Sequence, residues 1–443
     1  MKEKRILIAL EKLDAGGIET FVLNQIKALS NNNIEVFIIA KKGNYYDKFK
    51  KAGAKIIDYE FKDSIYIEKN KIQKMCEILT KNKITEVHIN QFPSMNVLAP
   101  ACILTGIPYV VYLHMAADII KDPVHNAYNY FERQYITYNK SFKILFKYAA
   151  KIVAITKAIK DYTAKKYTID PKKIIVRPNT IDTKSFSTTK KVEEIKKVLI
   201  ISRISIEKKN VIINAIKLYQ KLKEKNNEVT LQIAGSGNLV NDVEKYIKDK
   251  KIQDVNFLGN ISNVKEVMEK QDLIIAVDRC ILEALCLGKL AVISGYHNMK
   301  GLVTTKNINT CIKENFCGAS LETENISKVA NTLIKLKKED ISKITNNNLQ
   351  IVRNKLDVNK NIFYLKNTKV NYNIQEYVKD IYELTEILGK SQIEYYNKAE
   401  EIWKAYKNNE AIIQKRYKIP EAIIKKASQI KYSIKKRIKR KKN

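Results

Sequence analysis

The sequence predicts an α/β protein made of two consecutive parallel-sheet units and a helical, basic C-terminal extension. Three observations carry that prediction. Short apolar runs alternate with amphipathic stretches, the pattern of βαβ units around a buried parallel sheet. The alternation lapses in a charged, linker-like stretch, Thr183–Lys196, and then starts again. Beyond about residue 345 it gives way to helical spacing of apolar residues. A chain of 443 residues is long enough for two or three domains, each with its own core.

The first unit is expected over 1–185. Arg5–Ala9 (RILIA) is a buried strand, followed by a polar loop with Gly16 and Gly17 and a helix from about Glu19 to Leu29. Val36–Ala40, Lys55–Ile57, Glu86–Ile89, Tyr109–Leu113 and Lys151–Ile155 supply further strands. Ile174–Arg177 leads into the turn-rich Pro178-Asn179-Thr180-Ile181-Asp182. The second unit, 186–345, opens with the strand Lys197–Ser202 and the helix Asn210–Lys223. Thr230–Ala234 follows and ends at Gly235-Ser236-Gly237; then come Val255–Leu258, Leu273–Val277, a helix from about Ile281, and Leu290–Ser294. In the extension, 346–443, Ile374, Tyr377, Val378, Ile381, Leu384 and Leu388 follow helical spacing, as do Ile393, Tyr396, Ala399, Trp403 and Tyr406. Two such units place ligands at the carboxyl ends of their strands and in the cleft between them.

Composition narrows the function classes. The net charge of +34 comes from 81 Lys and Arg against 47 Asp and Glu, and it has two readings: a solvated lysine bias, or attraction for phosphorylated substrates and anionic surfaces. Residues 425–443, KKASQIKYSIKKRIKRKKN, carry ten basic residues and no acidic one, so peripheral contact with anionic membrane is expected there if anywhere. No apolar run approaches the roughly 20 residues that span a bilayer. No secretory signal precedes the first strand, and the six cysteines (Cys76, Cys102, Cys280, Cys286, Cys311, Cys317) form no ligand-like pair. A cytoplasmic protein with reduced thiols is expected, located if anywhere special at the inner face of the membrane. His88, His114, His125 and His297 lack metal-site spacing, so no metal is expected. The 25 tyrosines are not interleaved with basic residues as an RNA-binding motif, and nucleic acid is not an expected partner.

A few positions carry chemistry. Gly16 and Gly17, between strand and helix, let backbone amides approach a phosphate, although the loop is neither GxGxxG nor GxxxxGK[ST]. Arg203 follows a strand end and Lys208 enters the next helix, so both can face one site and stabilise a departing diphosphate. Glu283, within the first turns of its helix, can accept both hydroxyls of a ribose. Asp278 and Arg279 either pair with each other or leave Arg279 to reach a ligand. His114 follows the strand Tyr109–Leu113, where ligands of α/β proteins collect.

The segments GGIET, SRISIEKK, IAGSGN, VNFLGNI and ILEALCLGKLAVISG occur in the order seen in glycosyltransferase family 4 (group 1), and about residues 5–320 resemble that family. The resemblance implies the GT-B fold, two Rossmann-like domains facing across a cleft. It implies a retaining, metal-independent, hexosyltransferase-like enzyme moving a sugar from a nucleotide-diphosphate donor to a glycan, lipid-linked or small-molecule acceptor, in cell-surface polysaccharide or glycolipid synthesis. By the same resemblance Gly16 and Gly17 lie over the donor diphosphate, Arg203 and Lys208 hold its phosphates, and Glu283 binds its ribose. Arg279 and Gly235 join that donor-binding set, and His114 lies near the transferred sugar. A helix over 371–388 is then expected to cross back over the first domain. One departure stands out: the family's first motif glutamate is absent, because Ile275 stands eight residues before Glu283. Asp278 takes over that contact, or backbone amides and Arg279 do, or the protein binds without turnover. Rival readings are a non-catalytic nucleotide-sugar-binding or partner protein of this fold, a polyanion-binding or membrane-surface protein, and a nucleotide-sugar epimerase.

Overall fold

The computed structural model describes residues 4–61, 69–114, 142–366 and 370–387. Its first domain holds seven parallel strands: β1 Arg5–Lys12, β2 Glu35–Lys41, β3 Lys55–Asp58, β4 Glu86–Ile89, β5 Tyr109–Leu113, β6 Lys151–Ala154 and β7 Ile174–Val176, in the order β3-β2-β1-β4-β5-β6-β7. Helices α1 Gly17–Ser30, α2 Tyr46–Lys51, α3 Lys69–Lys81, α4 Phe92–Thr105, α5 over 142–148 and α6 Lys157–Tyr167 cover its faces. Successive side chains of a strand point to opposite faces. Leu7 and Ala9 therefore enter one core, while Ile6, Ile8 and Leu10 enter the other. Burial on both faces is why β1 and β5 read as unbroken apolar runs.

The second domain repeats the plan: β8 Lys197–Ile201, β9 Thr230–Ala234, β10 Val255–Gly259, β11 Leu273–Ala276, β12 Leu290–Ser294 and β13 Met299–Leu302, in the order β10-β9-β8-β11-β12-β13. Its helices are α7 Lys209–Lys223, α8 Val240–Asp249, α9 Val264–Met268, α10 Arg279–Cys286, α11 Ile308–Lys313, α12 Ile326–Ile334 and α13 Lys338–Lys355. Val198 and Ile200 face one core and Leu199 and Ile201 the other. The edge strand β13 is antiparallel to β12 and was not expected from the sequence, because Lys300 and Gly301 interrupt its apolar pattern. The boundary placed at 345 falls inside α13, whose Val352 is buried in the second domain's core. The linker-like stretch 183–196 is pinned rather than loose: Phe186 and Val192 pack into the two cores of that domain.

Strand order reverses between β1 and β4 in one sheet and between β8 and β11 in the other. Each reversal opens a crevice at the strands' carboxyl ends, and these two crevices hold the site described below.

The chain then returns to the first domain. Ile181 and Asp357 form a parallel bridge, Arg177 lies over the Phe363 ring at 5.1 Å, and the Leu365 amide donates to the Glu86 carboxylate at 3.0 Å. Helix α14, Ile374–Ile387, buries Ile374, Tyr377, Val378 and Ile381 in the first domain's core. The Asp380 carboxylate accepts from Lys147 at 2.7 Å and from Tyr148 at 2.8 Å. The crossing helix expected over 371–388 is therefore present with slightly shorter bounds. The spacing over 393–406, the basic end 425–443 and His125 lie outside the described residues. Among the described residues no helix is long and apolar enough to cross a membrane.

Candidate active site between the two sheets

Two loops of the first domain reach the cleft. After β1, Gly16 is the N-cap of α1, and its carbonyl accepts from both the Thr20 amide at 3.0 Å and the Thr20 hydroxyl at 2.7 Å. A Cβ on Gly17 would meet nothing within 4 Å, so the helix start is open on that side. After β4 come Asn90 and Gln91, and Gln91 Nε2 donates to Glu19 Oε1 at 3.3 Å. Gly16, Gly17, Glu19 and Gln91 line a cleft of about 260 Å³ together with Arg203 from the second domain. Arg203 itself is largely exposed, and its Nη1 lies 3.7 Å from Glu207 Oε1.

The second domain contributes the ends of β8 and β11. A short 3-10 turn after β8, Ile206–Lys208, aims Lys208 across the switch point at Asp278, which follows β11. Lys208 Nζ lies 3.1 Å from Asp278 Oδ2, and the Tyr296 hydroxyl donates to the same oxygen at 2.6 Å. Asp278 does not pair with Arg279. On α10, Arg279 Nε instead donates to Glu283 Oε1 at 2.9 Å, one helical turn away, and its Nη1 reaches the Thr180 carbonyl at 3.4 Å. Arg279 and Glu283 are only 8% and 5% exposed, so the ion pair is held largely out of water. Burial pushes the Glu283 carboxyl above its ordinary pKa, with the charge and hydrogen bond of Arg279 opposing it.

His114 ends β5. Its Nε2 lies 3.0 Å from Asn90 Oδ1, and its ring meets Phe21 edge-on at 5.0 Å. Burial, and then the positive charge of Arg279, push its pKa down to about 4, so the ring is neutral at physiological pH. The Arg279 influence ties His114 to the second domain's half of the site. A histidine whose folded pKa lies below its unfolded value binds fewer protons folded than unfolded between pH 6.5 and about 4. Stability is thus expected to rise with pH through that window and to be lost as pH falls through it. Thermal melts between about pH 7.5 and about pH 4.5 should show a steeper acid loss for the wild type than for His114→Gln.

Gly235, expected in the donor-binding set, has a packing role at the end of β9. It adopts φ +145°, its amide donates to the Gly259 carbonyl at 2.8 Å, and a Cβ there would lie 1.9 Å from the Ser202 carbonyl oxygen. It lets β9 pass close under the Ser202–Ile204 turn that presents Arg203, and its N–H is not free for a phosphate. Ile275 is fully buried in β11, so the carboxylate that faces the cleft near this position is Asp278.

Asn90, Gln91 and Tyr296 were absent from the expected site. Asn90 is 4% exposed, and its Nδ2 finds no hydrogen-bond acceptor among the described residues. Its signal was topological: it is the first residue beyond β4, on the crevice side of the strand reversal. Among the described residues no three His, Cys, Asp or Glu side chains gather as metal ligands.

The sequence model described as Glycosyltransferase Family 4 matches residues 15–185, and that described as Glycosyl transferases group 1 matches 182–355. Together they cover residues 15–355 across both domains, leaving out only β1 of the two sheets, and they include every residue named above as lining the cleft. The chain belongs to glycosyltransferase family 4, group 1. Among solved structures, Anabaena Alr3699/HepE in complex with UDP and glucose superposes with a TM-score of 0.60 at 18% identity, over 81% of this chain and 98% of that one. A glycosyltransferase from Rickettsia africae gives 0.55 at 18% identity, over 88% and 100%. A point mutant of S. aureus TarM, in complex with Fondaparinux, alpha-GlcNAc-glycerol and UDP, gives 0.59 at 13%, over 81% and 98%. At these identities the likeness establishes the GT-B fold. No curated protein matches the sequence. In this glycosyltransferase Glu283 lies inside α10, and the strained Asp278 (φ +60°, ψ −134°) stands at the mouth of the same helix.

Proposed function

We propose that this glycosyltransferase moves a sugar from a nucleotide-diphosphate donor to a hydroxyl of a glycan, lipid-linked or small-molecule acceptor, with retention at the anomeric carbon and no bound metal. The observation that carries the reading is the meeting of Lys208, from the end of β8, with the start of α10, from the end of β11, one turn before the buried Glu283. As the bond between sugar and phosphate breaks, negative charge gathers on the diphosphate. Lys208, Arg203 and the free amides at the start of α10 stabilise it there, in a cleft partly shielded from water. Glu283, steadied by Arg279, accepts the ribose hydroxyls. Neutral His114 offers a hydrogen bond to the transferred sugar and does not act as an acid.

The first domain supplies Gly16 and Gly17 above the diphosphate and binds the acceptor, and closure of the cleft brings acceptor hydroxyl and anomeric carbon together. Residues 425–443 recruit the enzyme to the inner face of an anionic membrane, for synthesis of surface polysaccharide or glycolipid. Their removal should leave the chemistry intact.

Calorimetric titration with UDP-, GDP- and ADP-sugars tests the reading. UDP-sugars come first, because the Anabaena and S. aureus structures hold UDP. One donor should bind saturably and be hydrolysed slowly without acceptor. Absence of binding to every nucleotide sugar would sink the proposal, and tight binding without hydrolysis or transfer would favour a non-catalytic binder.

A further inference from the structure

We propose that Asp278 reads the charge of the transferred sugar: its carboxylate accepts hydroxyls of a neutral sugar and turns away donors whose sugar is itself acidic. This rests on the transferase reading above. The first observation is the backbone. Asp278 sits at φ +60° and ψ −134°, a conformation that glycine adopts freely and that opposes a Cβ. A side chain stands at a position where its absence would relieve strain.

The second observation is how the carboxylate is held. Lys208 Nζ and the Tyr296 hydroxyl both bind Oδ2, while Oδ1 has no partner among the described residues, and the side chain is a quarter exposed. Burial first, and Asp278 next, push the Tyr296 phenol's pKa up, so it stays a donor to the carboxylate. The Lys208 ammonium also lies 5.5 Å from the centre of the Tyr296 ring. Two side chains from two other segments thus aim one carboxylate, with its second oxygen left open.

The third observation is position. Asp278 precedes α10 and Glu283 lies five residues further on, about 7 Å along the axis at the helical rise. With ribose at Glu283 and diphosphate at Lys208, the sugar continues from the diphosphate away from the ribose, toward Asp278. Once Lys208 faces the diphosphate it no longer offsets Asp278 alone, and the pair turns a net negative face to the sugar. Hydroxyls donate to such a face, whereas a second carboxylate within a few ångströms is repelled.

The test titrates the full chain with UDP-glucose and UDP-glucuronate, or with GDP-mannose and GDP-mannuronate if guanine is the base that binds. The wild type should prefer the neutral sugar by about tenfold or more. Asp278→Asn, whose side chain tolerates positive φ, should shrink that preference to about threefold or less and tighten binding of the bare nucleoside diphosphate. Asp278→Gly should lose the preference equally while its melting temperature holds or rises, which separates the effect from unfolding. Equal wild-type affinities for the two sugars, or a preference that survives in both variants, would overturn the inference with the transferase reading intact. Failure of the wild type to bind either sugar nucleotide would instead remove the reading on which it stands.

Discussion

Replacing Glu283 by alanine is expected to abolish measurable donor binding and to weaken the second domain at the same time. The carboxylate is buried, and its Oε1 is the main partner of the equally buried Arg279. Without it, Arg279 keeps, among the described residues, the Thr180 carbonyl at 3.4 Å, and an uncompensated buried charge costs about 3–5 kcal/mol. Loss of stability and loss of function would then be confounded. Glu283→Gln separates them, because its amide oxygen can still accept from Arg279 Nε. It cannot offer two charged acceptors to vicinal hydroxyls, and hydrogen bonds to a charged group contribute about 1.5–3 kcal/mol each. Glu283→Gln should therefore keep a melting temperature near the wild type while the donor Kd rises about 100-fold, and Glu283→Ala should lose both. Calorimetry and thermal melts on the two variants decide it. Wild-type affinity in Glu283→Gln would remove Glu283 from the ribose site.

How far the sequence foretold this depends on whether a feature is local. Glu86–Ile89, Tyr109–Leu113, Thr230–Ala234 and Leu290–Ser294 are strands with the expected bounds, and for Tyr109–Leu113 and Leu290–Ser294 the reason is that a strand buried on both faces is legible as an apolar run. β1 runs on to Lys12, past the expected end at Ala9, since its pairing with β2 continues beyond the apolar run. Helix α4 was hidden for the opposite reason: nearly every described side chain in it is buried, it contains Pro100, and no polar face marks its period. In the site, Arg279–Glu283 is an i,i+4 pair within one helix, although the expectation from sequence set Arg279 against Asp278 or a ligand instead. The contact of Lys208 with Asp278 spans 70 residues and exists only because β8 and β11 are neighbours in the sheet. Gly235 shows a related limit: its strand-end position is legible in the sequence, whereas the room its missing Cβ makes for the Ser202 carbonyl is visible only in the fold.

Lys208→Ala is expected to give the largest loss of turnover, and the reason lies in what it leaves behind. Lys208 is the cation pinned at the switch point, only 20% exposed and held by Asp278 and the Tyr296 ring, whereas Arg203 is 71% exposed. A fixed donor aimed at developing charge contributes about 100- to 1,000-fold to kcat, and a mobile one less. Removing Lys208 also strips Asp278 of its counter-ion beside the incoming diphosphate, so the variant meets repulsion as well as a missing attraction. Arg203→Ala should therefore cost about tenfold, well short of Lys208→Ala. Lys208→Arg should rescue little, since a planar guanidinium does not replace a compact ammonium seated between a carboxylate and a ring. Adding Asp278→Asn to Lys208→Ala removes the orphaned charge and should restore part of the lost kcat/KM. A full double-mutant cycle measures this, with kcat and KM taken separately. A coupling above about 0.5 kcal/mol would show Lys208 and Asp278 acting as one unit, and strict additivity would mean that the diphosphate never meets the pair.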